Sequence, residues 1–337
     1  MPFPTSGKND NYATVLAMRI YVLALNEVFD TGLSTLLDTF STANDLAESA
    51  GTASTRFDVT VVGVRPRVHT SHGLSVPVRP ATRLARPDVA LVPALGAKMP
   101  DTLRVALERR DITDAQALLR HWSGSGTLVG AACTGTFVLA GTSLLNGQSA
   151  TTSWWLAPFF RERYPHVVLD DSRMLVSSSR FVTAGAALAH LDLALWLVRR
   201  RSPALAALTA RYLVVDPRPS QAAFMIPDHL AHSDPLVERF ELWARRQLAD
   251  GFSLSEAARA VVTSERTLAR RLQSVLGKSP LAYFQDLRVE RAVHLLQTSS
   301  ASVDQIAAQV GYADGVTLRT LIRRKIGRGV RELRARD

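Results

Sequence analysis

Three features common in secreted or membrane proteins are missing from this 337-residue sequence. Its only cysteine, Cys133, can form neither an internal disulfide nor a cysteine-based zinc site, so a reducing cytoplasm is expected and no metal ion is expected. Residues 1–11 are polar, unlike a basic-then-apolar secretion leader. The longest apolar stretch, residues 181–198, contains Asp192, and an aspartate in a bilayer costs roughly 2.5 kcal/mol or more. We therefore expect no membrane span.

Positive charge is in excess and is most concentrated near the end of the chain. The net charge is +10 and the isoelectric point is about 10.4. Residues 234–337 contain 18 Lys and Arg against 12 Asp and Glu, a net +6, whereas residues 1–233 have a net +4. A compact basic segment suits a polyanion such as DNA. Charge alone leaves a merely solvated basic surface as an equal alternative.

Short apolar runs alternate with helical segments in the first part of the chain. Strand-like runs occupy residues 14–25, 57–64, 88–93, 126–132 and 180–183. Helical spacing occupies residues 31–50 and 186–200. This alternation predicts an α/β domain with a doubly wound parallel sheet over residues 12–213.

A proline-rich segment follows and is expected to link two domains. Residues 214–235 contain four prolines, and proline disfavours helix interiors and central strands: Pro217, Pro219, Pro227 and Pro235. Helical periodicity dominates afterwards, so residues 236–337 are predicted to form an all-α domain. The chain is long enough for each domain to bury its own core.

The strongest signal in the all-α segment is an internal repeat. Residues 253–261 match residues 302–310 at an offset of 49 positions. Residues 276–278 match residues 326–328 at an offset of 50. Each copy opens with a serine three residues before Glu256 or Gln305, which is the spacing of a capping box. Four helix N-caps are predicted: Ser253, Ser264, Ser302 and Asp314. Short capped helices separated by a turn predict two helix-turn-helix units.

A single amphipathic helix is predicted between the two copies, over residues 280–298. A helix of this length spans about 28 Å, and successive major grooves on one side of B-DNA lie about 34 Å apart. Such a connector can hold two recognition helices in adjacent grooves. A duplicated helical domain that binds no DNA is the alternative that the pattern leaves open.

Residues 282–292 and 303–312 resemble the linker helix and the second unit of AraC/XylS-type regulators. The resemblance covers about residues 236–335, with one departure at residues 327–330, where the family usually has Gly-x-x-Pro. It implies double-stranded DNA and RNA polymerase as partners. By position, the base-reading residues would be Arg266, Ala269, Arg270, Val316, Arg319 and Thr320. Phosphate contacts would come from Arg271, Lys278, Arg323, Arg324 and Lys325.

Cys133 lies between a strand-like run and a helix-like run, within residues 130–135. A nucleophile at such a turn is exposed and sits at a helix N-terminus, which lowers the pKa of a thiol. A small buried residue is the alternative interpretation, because free cysteine is among the most buried residue types.

The surrounding residues 88–93, 132–140 and 144–152 resemble the PfpI-like, glutamine-amidotransferase-related domain that precedes the AraC-type domain in GlxA-family regulators. The resemblance covers about residues 14–200 and implies a flavodoxin-like fold that commonly dimerises. Enzymes of this fold keep a histidine after the Thr-Thr pair, close to the cysteine, and Ser153 occupies that place here. Serine cannot act as a base at neutral pH. The domain is therefore predicted to be a ligand sensor that has lost catalysis.

The resemblance and the residues around Cys133 predict a ligand pocket that needs no cofactor. Its residues would be Asp30, Cys133, Thr134, Ser153 and Trp154, with Glu27 and Trp155 as weaker candidates. Aromatic walls beside a carboxylate suit a cationic ligand through cation–π contact. Regulators that this sequence resembles often sense amino acids, betaines or related nitrogen metabolites. Core packing of both tryptophans is the alternative.

Taken together, these features predict a ligand-responsive, sequence-specific DNA-binding transcriptional regulator. It is expected to be an activator, a homodimer and not an enzyme. The alternative is a cysteine-dependent amidase or hydrolase with a DNA-binding appendage, which turnover abolished by Cys133→Ala would support.

Overall fold

A computed structural model describes residues 17–49, 56–216, 218, 220–221 and 234–334. The N-terminal tail and three of the linker prolines, Pro217, Pro219 and Pro227, lie outside the described residues. The remainder forms an α/β domain followed by a helical domain, which confirms the fold class that the sequence predicts. None of the described helices combines the length and the apolar character that crossing a bilayer requires.

A seven-stranded sheet forms the centre of the α/β domain. The strands, in chain order, are β1 (Met18–Leu23), β2 (Phe57–Gly63), β3 (Arg67–His69), β4 (Ser75–Pro77), β5 (Arg79–Pro80), β6 (Val89–Val92), β7 (Leu128–Ala132), β8 (Ser149–Ala150), β9 (Val168–Leu169), β10 (Leu175–Ser178) and β11 (Phe181–Ala184). The sheet order is β10-β11-β7-β6-β1-β2-β5. All its pairs are parallel except β10 with β11. Two further pairs, β3 with β4 and β8 with β9, lie outside it.

Helices cover both faces of this sheet. They are α1 (Asp30–Ser49), α2 (Pro100–Leu107), α3 (Arg110–Gly124), α4 (Gly135–Ala140), α5 (Ala157–Arg163), α6 (Ala189–Arg201) and α7 (Pro203–Tyr212). Successive side chains of β1 point to opposite faces, so Tyr21 packs in one core with α2–α5 while Ile20 packs in the other with α1, α6 and α7. Short 3₁₀ turns form at Ala81–Arg83 and Trp154–Leu156.

Seven helices follow in the described part of the C-terminal domain. They are the support helix (Pro235–Arg246), Leu254–Ala260, the first recognition helix (Glu265–Leu276), the connecting helix (Pro280–Thr298), Val303–Gln309, the second recognition helix (Gly315–Ile326) and Val330–Arg334. The connecting helix has the predicted bounds. The support helix begins at Pro235, the last residue of the predicted linker, because Asp234 caps it by accepting from the backbone N–H groups of Leu236 and Val237.

All four predicted N-caps are present, which explains why the short helices start where they do. Ser302 accepts from the backbone of Gln305 at 3.1 Å, and the Gln305 side chain accepts from the Ser302 backbone at 2.7 Å, a complete capping box. Ser253 accepts from Glu256 N–H at 3.4 Å. Both recognition helices end on glycines in left-handed conformation, Gly277 with φ 66° and Gly327 with φ 77°.

The helical domain has two separate hydrophobic cores, one for each helix-turn-helix unit. Unit 1 (residues 235–287) is built around Phe240, Leu268 and Phe284. Unit 2 (residues 289–333) is built around Ile306 and Leu318. The connecting helix contributes its first half to unit 1 and its second half to unit 2.

Candidate functional site

Cys133 forms a sharp turn between β7 and α4. Its φ of 54° lies in the left-handed region that side chains other than glycine rarely adopt. The turn is held because Cys133 N–H donates to Ala184 O at 2.9 Å, while Thr152 Oγ1 donates to Cys133 O at 2.7 Å. The strained turn over the carboxyl ends of the strands is the position at which α/β proteins place reactive or binding groups.

The environment of the Cys133 thiol does not favour a thiolate. Its Sγ lies 2.8 Å from Ser153 Oγ, which confirms that Ser153 stands beside the sulfur, and both side chains are buried. Burial raises the pKa of Cys133, and hydrogen bonds from Ser153 and Thr134 offset only part of that rise. The thiol is therefore in its neutral form at physiological pH and is poorly suited to nucleophilic attack.

The predicted pocket residue Thr134 closes the turn against a neighbouring loop. Its Oγ1 accepts from Leu95 N–H at 2.8 Å and lies 2.9 Å from Leu95 O, to which it donates. The side chain is buried and both of its hydrogen-bonding roles are used. Thr134 therefore shapes the turn by tying it to the backbone of Leu95.

Asp30 lies at the start of α1 and binds the tip of the β3–β4 hairpin. Its Oδ2 accepts from Ser71 Oγ at 2.7 Å and lies 2.8 Å from His72 Nδ1. Burial alone would raise the pKa of Asp30, but hydrogen bonds from Thr70, His72 and Ser71 outweigh it and hold the pKa well below the usual range. The carboxylate is therefore a fixed negative charge.

Ser71 and His72 were missed by sequence reasoning. They lie in a hairpin of three-residue strands, too short to show an alternating pattern. Lys98 Nζ stands 5.7 Å from the centroid of the Phe29 ring, and its charge lowers the pKa of the Cys133 thiol slightly against the larger rise caused by burial. Asp30 thus has its partners in the hairpin, and Phe29, which precedes it in the chain, has the ammonium group of Lys98 over its ring.

The tryptophan pair after Ser153 is oriented toward the helical domain. Trp154 is only 8% exposed and packs in the core of unit 1, with Trp155 against it at a ring-centroid distance of 5.6 Å. Trp155 Nε1 donates to Lys98 O at 3.0 Å. Among the predicted pocket residues, Cys133, Thr134 and Ser153 come together, Asp30 has its own partners, and Trp154 joins the two domains.

Gln221, near the end of the described part of the linker, also reaches the Cys133 turn. Its side chain is fully buried, and Nε2 donates to Thr152 O at 2.9 Å. Its backbone N–H donates to Ser172 O at 2.9 Å. Thr152 in turn holds the carbonyl of Cys133, so one hydrogen-bonded chain joins the turn to the linker.

The predicted base-reading residues line the two recognition helices. Arg266 and Arg270 are exposed on the first, and Ala269 is half-buried between them. Val316, Arg319 and Thr320 are exposed on the second, with Val316 at 66%. An exposed face of this kind on the second helix of each unit is the arrangement that reads base edges in a major groove.

The five predicted phosphate-binding residues divide into two groups. Arg271 pairs with the buried Asp234, while Lys278 and Lys325 both pair with Asp286. Arg323 and Arg324 are exposed, and neither pairs with a carboxylate anywhere in the described residues. Two of the five cations are therefore immediately available to a phosphate, whereas three would first have to leave a carboxylate.

Unit 1 also contacts α5 of the α/β domain. The guanidinium of Arg161 lies directly against Gly277, where a side chain would collide with it. Arg161 is held there by Asp171, with Nη2 2.9 Å from Oδ2. Within the described residues, no cluster of His, Cys, Asp and Glu is arranged to hold a metal ion.

Comparison with known proteins relates both domains to established families. The DJ-1/PfpI family matches residues 18–200, more than half of the chain, and a helix-turn-helix domain matches residues 257–336. The chain is 30% identical over 201 residues to the HTH-type transcriptional regulator ArgR of Pseudomonas aeruginosa, covering 58% of this chain and 61% of the relative. It is 25% identical over 236 residues to the HTH-type transcriptional regulator GlxA of Rhizobium meliloti, covering 67% and 71%.

A solved structure supports the fold of the first domain. A Vibrio parahaemolyticus protein described as a regulator of transcription superposes with a TM-score of 0.50 at 20% identity, over 58% of this chain and 99% of that one. The chain spans about three fifths of the length of ArgR, so the match does not extend over that whole relative. From the matched residues and the geometry above, the chain belongs to the DJ-1/PfpI family and joins that domain to an AraC-type helix-turn-helix domain.

Proposed function

We propose that the protein is a sequence-specific, DNA-binding transcriptional regulator whose DJ-1/PfpI domain senses a small molecule. The observation that carries the proposal is the pair of capped helix-turn-helix units, each with an exposed recognition helix. Arg266, Arg270 and Arg319 are the residues that would read guanine, through bidentate contact with O6 and N7. Ala269, Val316 and Thr320 would contact thymine methyl groups.

The phosphate contacts are ordered by availability. Arg323 and Arg324 would bind the backbone of DNA first, because no carboxylate competes for them in the described residues. Arg271, Lys278 and Lys325 would contribute less, since each gives up an ion pair on binding. A dimer, the usual state of such regulators, would place two copies of this surface on two half-sites and would present the DNA-bound protein to RNA polymerase.

The absence of catalysis is part of the proposal and is supported by the Cys133 environment. Ser153 stands 2.8 Å from the thiol in the place where a base would be needed, and burial raises the pKa of Cys133. An amidase or hydrolase would need the opposite shift. Under the alternative hypothesis of a cysteine-dependent enzyme, the thiol would need a base, and Ser153, the side chain hydrogen-bonded to it, cannot act as one at neutral pH.

A zwitterionic nitrogen metabolite, such as an amino acid or a betaine, is the effector that the charges favour. The fixed carboxylate of Asp30 would bind its cationic end, and the ammonium group of Lys98 would bind its carboxylate. Phe29, whose ring centroid lies 5.7 Å from Lys98 Nζ, offers an aromatic face to a quaternary ammonium group. A polyamine would satisfy Asp30 but would be repelled by Lys98.

Two connections would carry the effector signal to the DNA-binding units. Ser153 is followed directly by Trp154, which packs in the core of unit 1. Thr152 accepts from Gln221 of the linker. A ligand that moves the Thr152–Ser153 segment would therefore act on the linker through Gln221 and on the core of unit 1 through Trp154. To shift the protein between two positions of this segment, the ligand must bind one of them more tightly than the other.

The experiment is binding-site selection from random duplexes with the full chain, followed by affinity measurements with and without amino acids, betaines and polyamines. Enrichment of one bipartite sequence, with an affinity changed by a zwitterion in wild type and in Cys133→Ala alike, is the expected result. A compound consumed by wild type and left intact by Cys133→Ala would instead establish an enzyme. Failure to enrich any sequence would overturn the DNA-binding function itself.

A further inference from the structure

Asp286 lies at the point where the connecting helix passes from one unit to the other. Phe284 and Leu287 pack in the core of unit 1, and Val289 and Ala292 pack in the core of unit 2. The two cores are separate clusters joined by one continuous helix. Polar contacts around this changeover therefore add to the helix in setting the angle between the units.

Each carboxylate oxygen of Asp286 holds a lysine from a different unit. Lys278 follows the first recognition helix, and its Nζ lies 2.8 Å from Asp286 Oδ2. Lys325 lies in the last turn of the second recognition helix, and its Nζ donates to Asp286 Oδ1. The three side chains are only 23–27% exposed, so water screens these ion pairs less than it screens a surface pair.

Arg288 makes a second contact between the units on a different side of the same helix. Its guanidinium lies 4.8 Å from the Phe284 ring centroid and 5.3 Å from that of Tyr312, and its Nε donates to Leu248 O at 2.9 Å. Residues two positions apart on a helix point to different faces. Asp286 and Arg288 therefore hold the two units together from two different sides of the connecting helix.

We propose that Asp286 is a positioning residue that fixes the angle between the two recognition helices and thereby sets the spacing of DNA sub-sites that the protein accepts. The inference rests on the proposed DNA-binding function. In this role Lys278 and Lys325 are the two arms of the clamp, and their contribution to phosphate binding is secondary. A DNA site with displaced sub-sites is rejected because the clamp holds unit 2 away from it.

The clamp is tested first without DNA. Spin labels are placed at Ser274→Cys on the first recognition helix and Gln309→Cys in unit 2, both exposed, in a Cys133→Ala background of the full chain. Asp286→Asn should broaden the distribution of label distances by about twofold or more. The control Asp250→Asn removes the same charge from an exposed position of the same domain and should leave the distribution narrow. An equally narrow distribution in Asp286→Asn contradicts the proposal.

The second test uses the bipartite site selected by the wild-type chain and a version with one base pair inserted between the sub-sites. Wild type and Asp250→Asn should lose about tenfold in affinity on the inserted site, whereas Asp286→Asn should bind both sites with similar affinity. If Asp286→Asn keeps the tenfold preference and merely binds all DNA more tightly with steeper salt dependence, the carboxylate only repels phosphate and the proposal is overturned.

A second variant covers the case in which Asp286→Asn does not fold. Lys325→Met removes only the arm from unit 2 and is judged by the same label distances and the same spacing preference. A broadened distance distribution in a chain that enriches no DNA sequence would support the clamp while refuting the DNA-binding function. The two failures are therefore distinguishable.

Discussion

The two helix-turn-helix units share a sequence repeat, but their surroundings differ. Trp154 of the α/β domain enters the core of unit 1, and Arg161 lies against Gly277 at the end of its recognition helix. In unit 2, the core residues that the structure describes all belong to the helical domain, and the corresponding Gly327 is exposed. A change of state in the α/β domain would therefore act directly on unit 1 and would reach unit 2 through the connecting helix and the contacts around Asp286 and Arg288.

The units also differ in how their arginines are paired with carboxylates. Arg271 of the first recognition helix is tied to Asp234, the cap of the support helix, while Arg323 and Arg324 of the second are exposed without such a tie. We infer that the duplication has been divided in use. Under the proposed function, unit 2 would supply affinity for DNA in any state of the protein, and unit 1 would supply the part of binding that the effector controls.

The largest effect is expected from removing the side chain that joins the domains. Trp154→Ala should lower the free energy of unfolding of unit 1 by about 3 kcal/mol, because a buried aromatic side chain is lost from its core. Hydrogen exchange of the Leu272 amide should accelerate, whereas exchange of the Ile322 amide in unit 2 should change little. DNA affinity should also stop responding to the effector.

The matched control is Trp196→Ala. Trp196 is a partly buried residue of α6 and packs in the α/β-domain core that α1, α6 and α7 form. The substitution should destabilise the α/β domain without accelerating exchange at Leu272. Equal acceleration in both units by Trp154→Ala would mean that they unfold as one cooperative body, and the division of roles would have to be abandoned.

The next effect concerns the base-reading arginines. Arg270→Ala and Arg319→Ala should each weaken binding to the selected site by about 1–3 kcal/mol while leaving affinity for random DNA nearly unchanged. Repeating the DNA-binding titrations of both variants in the presence of the effector sharpens the comparison between the two units. The loss in Arg270→Ala should depend on the effector, because unit 1 is docked to the α/β domain, and the loss in Arg319→Ala should not. Equal losses on selected and random DNA would reassign these arginines to phosphate contact.

A smaller difference is expected at the N-caps of the helices Leu254–Ala260 and Val303–Gln309, one in each unit. Ser302→Ala breaks a complete capping box and should cost about 1 kcal/mol of stability, while Ser253→Ala removes one long hydrogen bond and should cost about 0.5 kcal/mol. Denaturant unfolding of the full-length variants measures both. A larger loss for Ser253 would show that the hydroxyl pair it forms with Ser255 Oγ, at 3.0 Å, contributes more than the cap.

Features governed by local rules were predictable from the sequence. The four N-caps and the bounds of the connecting helix follow from residue spacing alone, and the alternation of apolar runs predicted the doubly wound sheet. The contact of Ser153 with Cys133 was implied by family resemblance, because it follows from the position of a lost histidine. Each of these depends on neighbours in the chain or on a known fold.

Features governed by tertiary contact were not predictable. The pattern around Trp154 fitted a pocket wall and a core position equally well, and only the docking of the domains places it in unit 1. His72 reaches Asp30 from a hairpin too short for periodicity to reveal. Arginines and lysines of the recognition helices look alike in sequence, and ion pairs formed across the fold separate the available cations from the engaged ones.

The smallest effect is expected in the salt dependence of DNA binding. It measures directly which cations are available to phosphate and which are engaged by carboxylates. Each phosphate neutralised by a cation contributes about 0.9 to the slope of the logarithm of affinity against the logarithm of salt concentration. Arg323→Ala should therefore reduce the slope on random DNA by about 0.9. Arg271→Ala should leave the slope nearly unchanged, because the carboxylate of Asp234 already neutralises that guanidinium in the free protein. Equal reductions in the two variants would show that DNA displaces Asp234, and the electrostatic contrast between the units would then exist only in the unbound state.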